Sequence, residues 1–346
     1  MEQIYTIDGR RVTKAGKGLY IVNGKKTKLH VCEWKVMKLI TLFVLVILSA
    51  NLGFAEDTYK NGVPYVTLNN GQQMPRFGIG TFNVPGDSVA TDAVSFALKN
   101  GYRHIDTAHA YRVERGVGQG IKESGVPREE IWVTSKLWPS EYNDADAAID
   151  RMLERLGLDY IDLLYVHQPM GDWRGAWRAM ERAVASRKVR SLGLSNFDAA
   201  DSLYSAAMEW AKIKPSVMQI ECHPYAQRKM WMEKLANDSI VLEAWFPLGG
   251  AMSNGALFKD PVIREIAAAH GKTPAQIILR WHIQEGHSAI PGATYHPYIS
   301  ENIDIFDFEL TTVEMDEIRN IDKEQRFFNM DYKEAEQFML NWKIDD

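Results

Sequence analysis

The stretch Gly101-Tyr-Arg-His-Ile-Asp-Thr-Ala-His-Ala-Tyr111 reads as a short buried strand, Arg103 to Asp106, running out into a loop that ends in a tyrosine. An aspartate at a strand's C-terminal end and a tyrosine five residues later can point into the same cavity mouth, which is where a parallel α/β barrel keeps its chemistry. Taken alone, the stretch reads equally well as a strand end with a satisfied Asp and a packing Tyr. The flanking chain decides between the two.

Before the stretch, Pro64–Leu68, Asn69-Asn-Gly71 and Gln72–Pro75 read as a small hairpin with an Asn-Gly turn. Short apolar strands are then expected near Phe77–Gly80, Arg103–Asp106, Ile131–Ser135, Ile161–Val166, Val189–Leu194, Val217–Glu221, Val241–Ala244 and Ser288–Ile290. Helical periodicity lies between them at Ser88–Asn100, Gly116–Ser124, Ala145–Leu156, Trp173–Ala185, Ala199–Ala211, Lys229–Asn237 and Pro274–Glu285. Eight strands alternating with amphipathic helices predict an α/β fold, a (β/α)8 TIM barrel with a short N-terminal β-hairpin. A doubly wound open sheet is the alternative, and no G-x-G-x-x-G opens a helix after the first strand to support it. No internal repeat or low-complexity linker interrupts residues 60–346, which read as one domain.

The strand ends carry the chemistry. The second gives Asp106 and, beyond it, Tyr111. The third runs Val133-Thr-Ser-Lys136-Leu-Trp138, and the fourth Leu163-Leu-Tyr-Val-His167-Gln-Pro169. A lone strand-end His is usually a satisfied structural His, and a lone Lys a surface one. Four such groups converging on one mouth are much harder to explain that way.

With Gly193-Leu-Ser-Asn-Phe197, Met218-Gln-Ile-Glu-Cys-His-Pro224 and Glu301-Asn-Ile-Asp-Ile-Phe-Asp-Phe-Glu-Leu310, these motifs resemble, in order and spacing, the aldo-keto reductase family. The resemblance runs over nearly all of residues 62–325 and is nearest to the bacterial diketogluconate-reductase-like branch. It implies an NAD(P)H-dependent enzyme that reduces aldehydes or ketones to alcohols, with a catalytic tetrad of Asp106, Tyr111, Lys136 and His167. Reduction needs a hydride on carbon and a proton on oxygen. A phenol with an ordinary pKa near 10 is a poor donor at neutral pH, and an ammonium beside it lowers that pKa, with Asp106 holding the ammonium charged. His167 would orient the substrate oxygen. No ligand cluster has zinc-like spacing, so no metal is expected. A non-catalytic cofactor-binding barrel acting as a redox sensor or regulator is the other reading, and turnover of a generic aldehyde separates the two.

By the same resemblance, Ser195, Asn196 and Gln219 meet the nicotinamide carboxamide. Thr81, Asp106, Trp245, Phe246, Leu248, Gly292, Ala293, Thr294, Tyr298, Glu301 and Asn302 line the rest of the cofactor groove. Trp245 stands where the family usually has Tyr and keeps a flat face for stacking. Phe246 replaces a small hydroxyl residue, while Gly249-Gly250 can still bring backbone N–H groups to phosphates. Relatives that prefer NADPH carry Lys where this chain has Gly292 and Arg where it has Tyr298. Those cations grip the 2′-phosphate, so a weakened NADPH preference is expected. Phe82, Trp138, His167 and Gln168 are expected at the substrate, with Met170, Trp173, Phe327, Phe328 and Trp342 nearby. Gln168 replaces the family's frequent Trp, which favours small polar carbonyls such as sugar-derived ketones or short aldehydes.

With 346 residues, 46% of them apolar, the chain can bury a sizeable core. A net charge of −5 offers no basic surface for nucleic acid. Residues 1–36 are basic, with short β-like runs at Ile4–Ile7 and Gly18–Val22, and resemble the C-terminal sorting tails of type IX secretion substrates. Met37-Lys38 then opens an apolar run to Leu48, followed by small residues and acidic Glu56-Asp57, the anatomy of a secretory signal peptide over 37–55. The run is too short for a stable membrane span, which takes roughly 20 apolar residues. These features suggest translation starting at Met37, with residues 1–36 an upstream-derived extension. Cleavage after Ala55 would remove nine Lys/Arg and three Asp/Glu from 40 and 45, leaving a net charge of −11. The expected location is periplasmic or exported if that leader is real and cytoplasmic otherwise. Only Cys222 would remain after cleavage, so no internal disulfide is available. A monomer acting on a small carbonyl substrate is expected.

Overall fold

Eight parallel strands follow one another in sequence order in the computed structural model, which describes residues 57–60, 62–329 and 331–344 and, of the first 56, four short strands. They are β1 Ile79–Gly80, β2 His104–Asp106, β3 Trp132–Leu137, β4 Ile161–Val166, β5 Val189–Ser195, β6 Val217–Glu221, β7 Val241–Trp245 and β8 Ser288–Ala289. Parallel bridges from Phe77 to Ala289 and from Gly80 to Gly292 close β1 onto β8. Nearly every strand residue is buried, as expected where helices cover the outer face and side chains fill the inner one. Each fully buried Val, Leu or Ile contributes about 1.5–3 kcal/mol. The expected barrel is therefore present, with strand starts moved inward by one or two residues at three of the eight positions.

The hairpin forms as expected, Val63–Thr67 against Gln73–Pro75, with Thr58–Lys60 added as a third strand. Gly71 takes φ 84 in its turn. Asn69 and Asn70 donate to Pro215 O (2.8 Å) and Ser191 Oγ (2.9 Å), which seats the turn at the N-terminal ends of β5 and β6. Val66, Leu68 and Met74 share a buried cluster with Trp132, Leu163 and Tyr165, so the hairpin plugs the barrel floor and leaves the opposite end for a site.

Helices α1 Asp87–Lys99, α2 Glu114–Ser124, α3 Ala145–Leu156, α4 Trp173–Ala185, α5 Asp201–Trp210 and α6 Lys229–Asn237 follow the first six strands. The α5 helix starts later than its periodicity suggests, because Phe197–Ala199 forms a separate 3-10 turn after Asn196 (φ 64). Between β7 and β8 lie α7 Ala256–Lys259, α8 Pro261–His270 and α9 Pro274–Gln284, and only α9 was expected. Three more helices follow β8: α10 His296–Ile303, α11 Thr312–Asn320 and α12 Tyr332–Asn341. Among the described residues, no helix is long and apolar enough to cross a membrane.

The chain divides near residue 53, and the first unit contains an antiparallel sheet of Arg11–Val12, Ile4–Thr6, Gly18–Val22 and Lys25–Leu29, in that order. Two of these strands coincide with the expected β-like runs. The signal-peptide-like segment 37–55 lies outside the described residues.

Candidate active site

Register alone brings the first groups together. Thr134 of β3 lies opposite Asp106 of β2, and Lys136, two residues on, shares that face. The Lys136 ammonium donates to Asp106 Oδ1 at 2.6 Å, to Thr107 O at 3.0 Å and to Tyr111 Oη at 3.3 Å. Its three hydrogens are therefore all spent. Tyr111 is delivered by a 3-10 turn, His109–Tyr111, after β2. Its oxygen accepts from the ammonium, and its own O–H has no acceptor among the described residues.

Electrostatics sort these groups by protonation state. Burial alone would lower the Lys136 ammonium, but Asp106 and Tyr111 together raise it above its ordinary value. Burial pushes Asp106 up, with Lys136 pulling it back. Burial likewise raises the Tyr111 phenol, and the opposing pull of Lys136 does not cancel it. The sequence suggested a phenol brought down by its ammonium; desolvation wins, and Tyr111 stays protonated. His167 is held well below its usual range by burial and then by Lys136, so it is a neutral imidazole. Its Nδ1 has no partner among the described residues. The ring meets Tyr111 and Trp138 edge-on at 5.8 and 5.0 Å.

Below these four groups sits a polar layer of which the sequence pointed only to Gln219. Gln219 Nε2 donates to Asp106 Oδ2 (2.9 Å) and to Glu243 Oε1 (2.8 Å). Glu243 also accepts from Tyr165 Oη and Ser288 Oγ, both at 2.9 Å. Tyr165 reaches it because Gly193 leaves room: a Cβ there would sit 2.3 Å from the Tyr165 ring. The signal was visible, since a carboxylate inside the apolar run Val241-Leu-Glu243-Ala demands buried partners.

A cavity of about 530 Å³ opens over these groups at the C-terminal mouth. Asp106, Tyr111, His167, Ser195, Asn196 and Gln219 line its floor, and Trp245, Phe246, Leu248 and Gly292–Thr294 form one wall. Trp245 Nε1 donates to Asn196 Oδ1 (3.1 Å), while Asn196 Nδ2 donates to His167 O and Ser195 Oγ (3.1 Å each). Phe246 takes φ 49, a strained value for a bulky residue. Lys136 and Thr81 lie behind the wall, Thr81 bonded to Asp106 O and Thr107 Oγ1. Tyr298, Glu301 and Asn302 of α10 stand outside the cavity, Glu301 accepting from Thr273 Oγ1 at 2.7 Å. Tyr298 is 60% exposed and packs edge-on against Tyr295.

Phe82, Trp138 and Gln168 line the other side, joined by Phe328, Tyr332, Met339 and Trp342 of the tail. The tail is tied down: Trp138 Nε1 donates to Met339 O (3.1 Å), and Glu221 accepts from the backbone of Phe327 (2.6 Å) and Phe328 (3.2 Å). Three of the candidates expected near the substrate fall outside the cavity. Trp173 packs on Phe197 and Trp210, Met170 lies in a buried cluster beside Trp138, and Phe327 covers His223 and Tyr225. Elsewhere Cys222, His282 and His287 lie close enough together to suggest a metal. The two rings hydrogen-bond each other at 3.1 Å and His282 Nε2 meets Pro247 O, while His287 Nε2 has no partner among the described residues.

Comparison with known proteins fits this geometry. A model of the aldo/keto reductase family matches residues 76–323. The chain is 44% identical over 264 residues to glyoxal reductase of Bacillus subtilis (strain 168), covering 75% of this chain and 94% of that protein. It is 43% identical over 264 residues to 9,11-endoperoxide prostaglandin H2 reductase of Trypanosoma cruzi (strain CL Brener), covering 75% and 92%. The solved structure of a Bombyx mori aldo-keto reductase in complex with NADP is similar, with a TM-score of 0.72 at 33% identity over 78% of this chain and 95% of that one.

Proposed function

The chain belongs to the aldo/keto reductase family as an NAD(P)H-dependent carbonyl reductase, and on that premise we propose that Tyr111 is its proton donor, served by Lys136, Asp106 and His167. One observation carries this reading: Tyr111 receives a hydrogen bond from a buried ammonium and keeps its own O–H unspent beside the cavity.

The residues present fit a nicotinamide cofactor. Gln219 lines the cavity, and its Oε1 accepts no hydrogen bond among the described residues. At Gly250 (φ 60) a Cβ would stand 2.9 Å from the Phe246 ring, so the Gly249-Gly250 backbone stays bare for phosphate oxygens. Ser195 and Gln219 would hold the carboxamide, and the Trp245 face the ring. Asn196 has its amide already committed to Trp245, Ser195 and His167 O, and acts on the carboxamide through Ser195. When bound, the nicotinamide supplies the hydride that adds to the carbonyl carbon. Tyr111 gives its proton to the carbonyl oxygen, and the tyrosinate left behind is stabilised by Lys136, which Asp106 keeps charged. His167, neutral, donates from Nε2 to that same oxygen and fixes its approach.

The adenosine end favours a relaxed cofactor choice. Gly292 and Tyr298 supply no charge for a 2′-phosphate, and His296 is turned onto Asp92 (2.8 Å) and stacked on Phe96. Short polar aldehydes, dicarbonyls and sugar-derived ketones suit a pocket walled by Trp138 and Trp342 with Gln168 at its side, and a relative named glyoxal reductase supports the small end of that range.

Steady-state kinetics with NADH and NADPH on glyoxal and glyceraldehyde tests it. The expected result is turnover with both cofactors and an NADPH preference under about a hundredfold, some 2.7 kcal/mol. Oxidation of neither cofactor by any short aldehyde or ketone would sink the proposal.

A further inference from the structure

Glu243 has no part in the mechanism above, yet it is fully buried and makes three hydrogen bonds, to Tyr165, Ser288 and Gln219. The contact to Gln219 is the informative one. A single side-chain nitrogen lies between two carboxylates, 2.9 Å from Asp106 Oδ2 and 2.8 Å from Glu243 Oε1. With both carboxylates ionised, an amide oxygen in that place would face two acceptors, so the nitrogen belongs there. Both hydrogens of Gln219 are then consumed inside the barrel, and Oε1 is left as an acceptor beside the cavity. Asp106 alone would spend only one hydrogen, and its other oxygen already faces Lys136.

We propose that Glu243 is a positioning residue for the cofactor: by taking the second N–H of Gln219, it holds Oε1 turned outward to accept the N–H of the nicotinamide carboxamide. The inference rests on the proposed contact between Gln219 and that carboxamide. Without an acceptor at position 243, one N–H of Gln219 would be stranded in a dry interior. A stranded donor is costly, so the amide would turn that N–H to the cavity, where water can satisfy it. The outward acceptor would be lost.

The test compares NADH with its 3-acetylpyridine analogue, in which a methyl ketone replaces the carboxamide, keeping the acceptor and deleting the N–H donor. Dissociation constants are measured by quenching of tryptophan fluorescence on the full chain. The wild-type protein should bind NADH about fivefold more tightly than the analogue, the share of one hydrogen bond. Glu243→Met, nearly isosteric but without an acceptor, should bring that ratio close to one. Glu243→Gln should keep the wild-type ratio, because its amide can turn its oxygen to Gln219 and Tyr165 and its NH2 to Ser288. A general structural role would weaken both ligands alike and leave the ratio unmoved. Should Glu243→Met not fold, the variant combining it with Tyr165→Phe and Ser288→Ala removes the orphaned hydroxyls and is read against the Tyr165→Phe, Ser288→Ala pair. A wild-type ratio retained by the Met variant, or lost equally by the Gln variant, overturns the role of Glu243. A wild-type ratio of one overturns the Gln219 contact itself, and failure to bind NADH at all counts against the functional reading.

Discussion

A phenol that burial makes a weaker acid is still a usable donor if its conjugate base is looked after only when charge develops. Tyr111 meets that condition, because the Lys136 hydrogen bond strengthens as the phenol oxygen turns negative. Tyr111→Phe should therefore lower kcat by about 10²–10⁴-fold while the dissociation constant of the reduced cofactor changes by less than about twofold. Stopped-flow turnover and a fluorescence titration check the two halves, and a variant that keeps wild-type kcat rules out the acid role. The gathering of Asp106, Lys136 and His167 at one mouth was legible from sequence because each lies at or near the end of an apolar strand, with Tyr111 in the turn that follows the first of them. Glu243 was visible as a charge in the wrong place, but its partners Tyr165, Gln219 and Ser288 come from three other strands. Only the register joins them. The balance between burial and ammonium at Tyr111 was also hidden, since desolvation depends on what covers a group and not on its neighbours in sequence.

The elements divide the same way. Barrel strands announce themselves as short apolar runs, and α1, α3 and α4 carry the full 3.6-residue stripe of helices packed on a sheet. The α10 helix contains Pro297 and buries only Ile299 and Asn302, so no such stripe exists to be read. The α12 helix buries just Ala335 and Met339, because it lies across a cavity mouth rather than a core. It nonetheless helps wall the cavity, through Met339, whose O accepts from Trp138, and it leads into Trp342, which meets the same indole at 5.1 Å. Ending the chain before Asp331 should raise KM for small aldehydes about tenfold, near 1.4 kcal/mol of lost contact, with cofactor affinity unchanged. Steady-state kinetics on the shortened protein decide it; an unaltered KM would show that α12 covers the pocket without contributing to it.

Across the whole molecule, several imidazoles are buried in neutral form, with His104 brought down to about 4 and His287 to about 3, each chiefly by burial. The linkage follows directly for His287. Below pH 6.5 the unfolded chain takes up a proton that the folded chain refuses until about pH 3. Its contribution to stability is complete above pH 6.5, is lost progressively as the pH falls, and levels off below the folded value. The Tm advantage of the wild-type protein over His287→Gln should shrink by roughly 5 °C between pH 7 and pH 4, read by thermal unfolding across that range. A constant difference would mean that the ring takes up its proton at the same pH in the folded chain as in the unfolded one. Closure of the ring has a further consequence, which concerns time. Phe77 pairs with Ala289, so the first strand leaves the ribosome about two hundred residues before its second neighbour exists. Until then one edge of the growing sheet is open to any other chain. Nascent copies are therefore most exposed to aggregation while they wait for the closing strand.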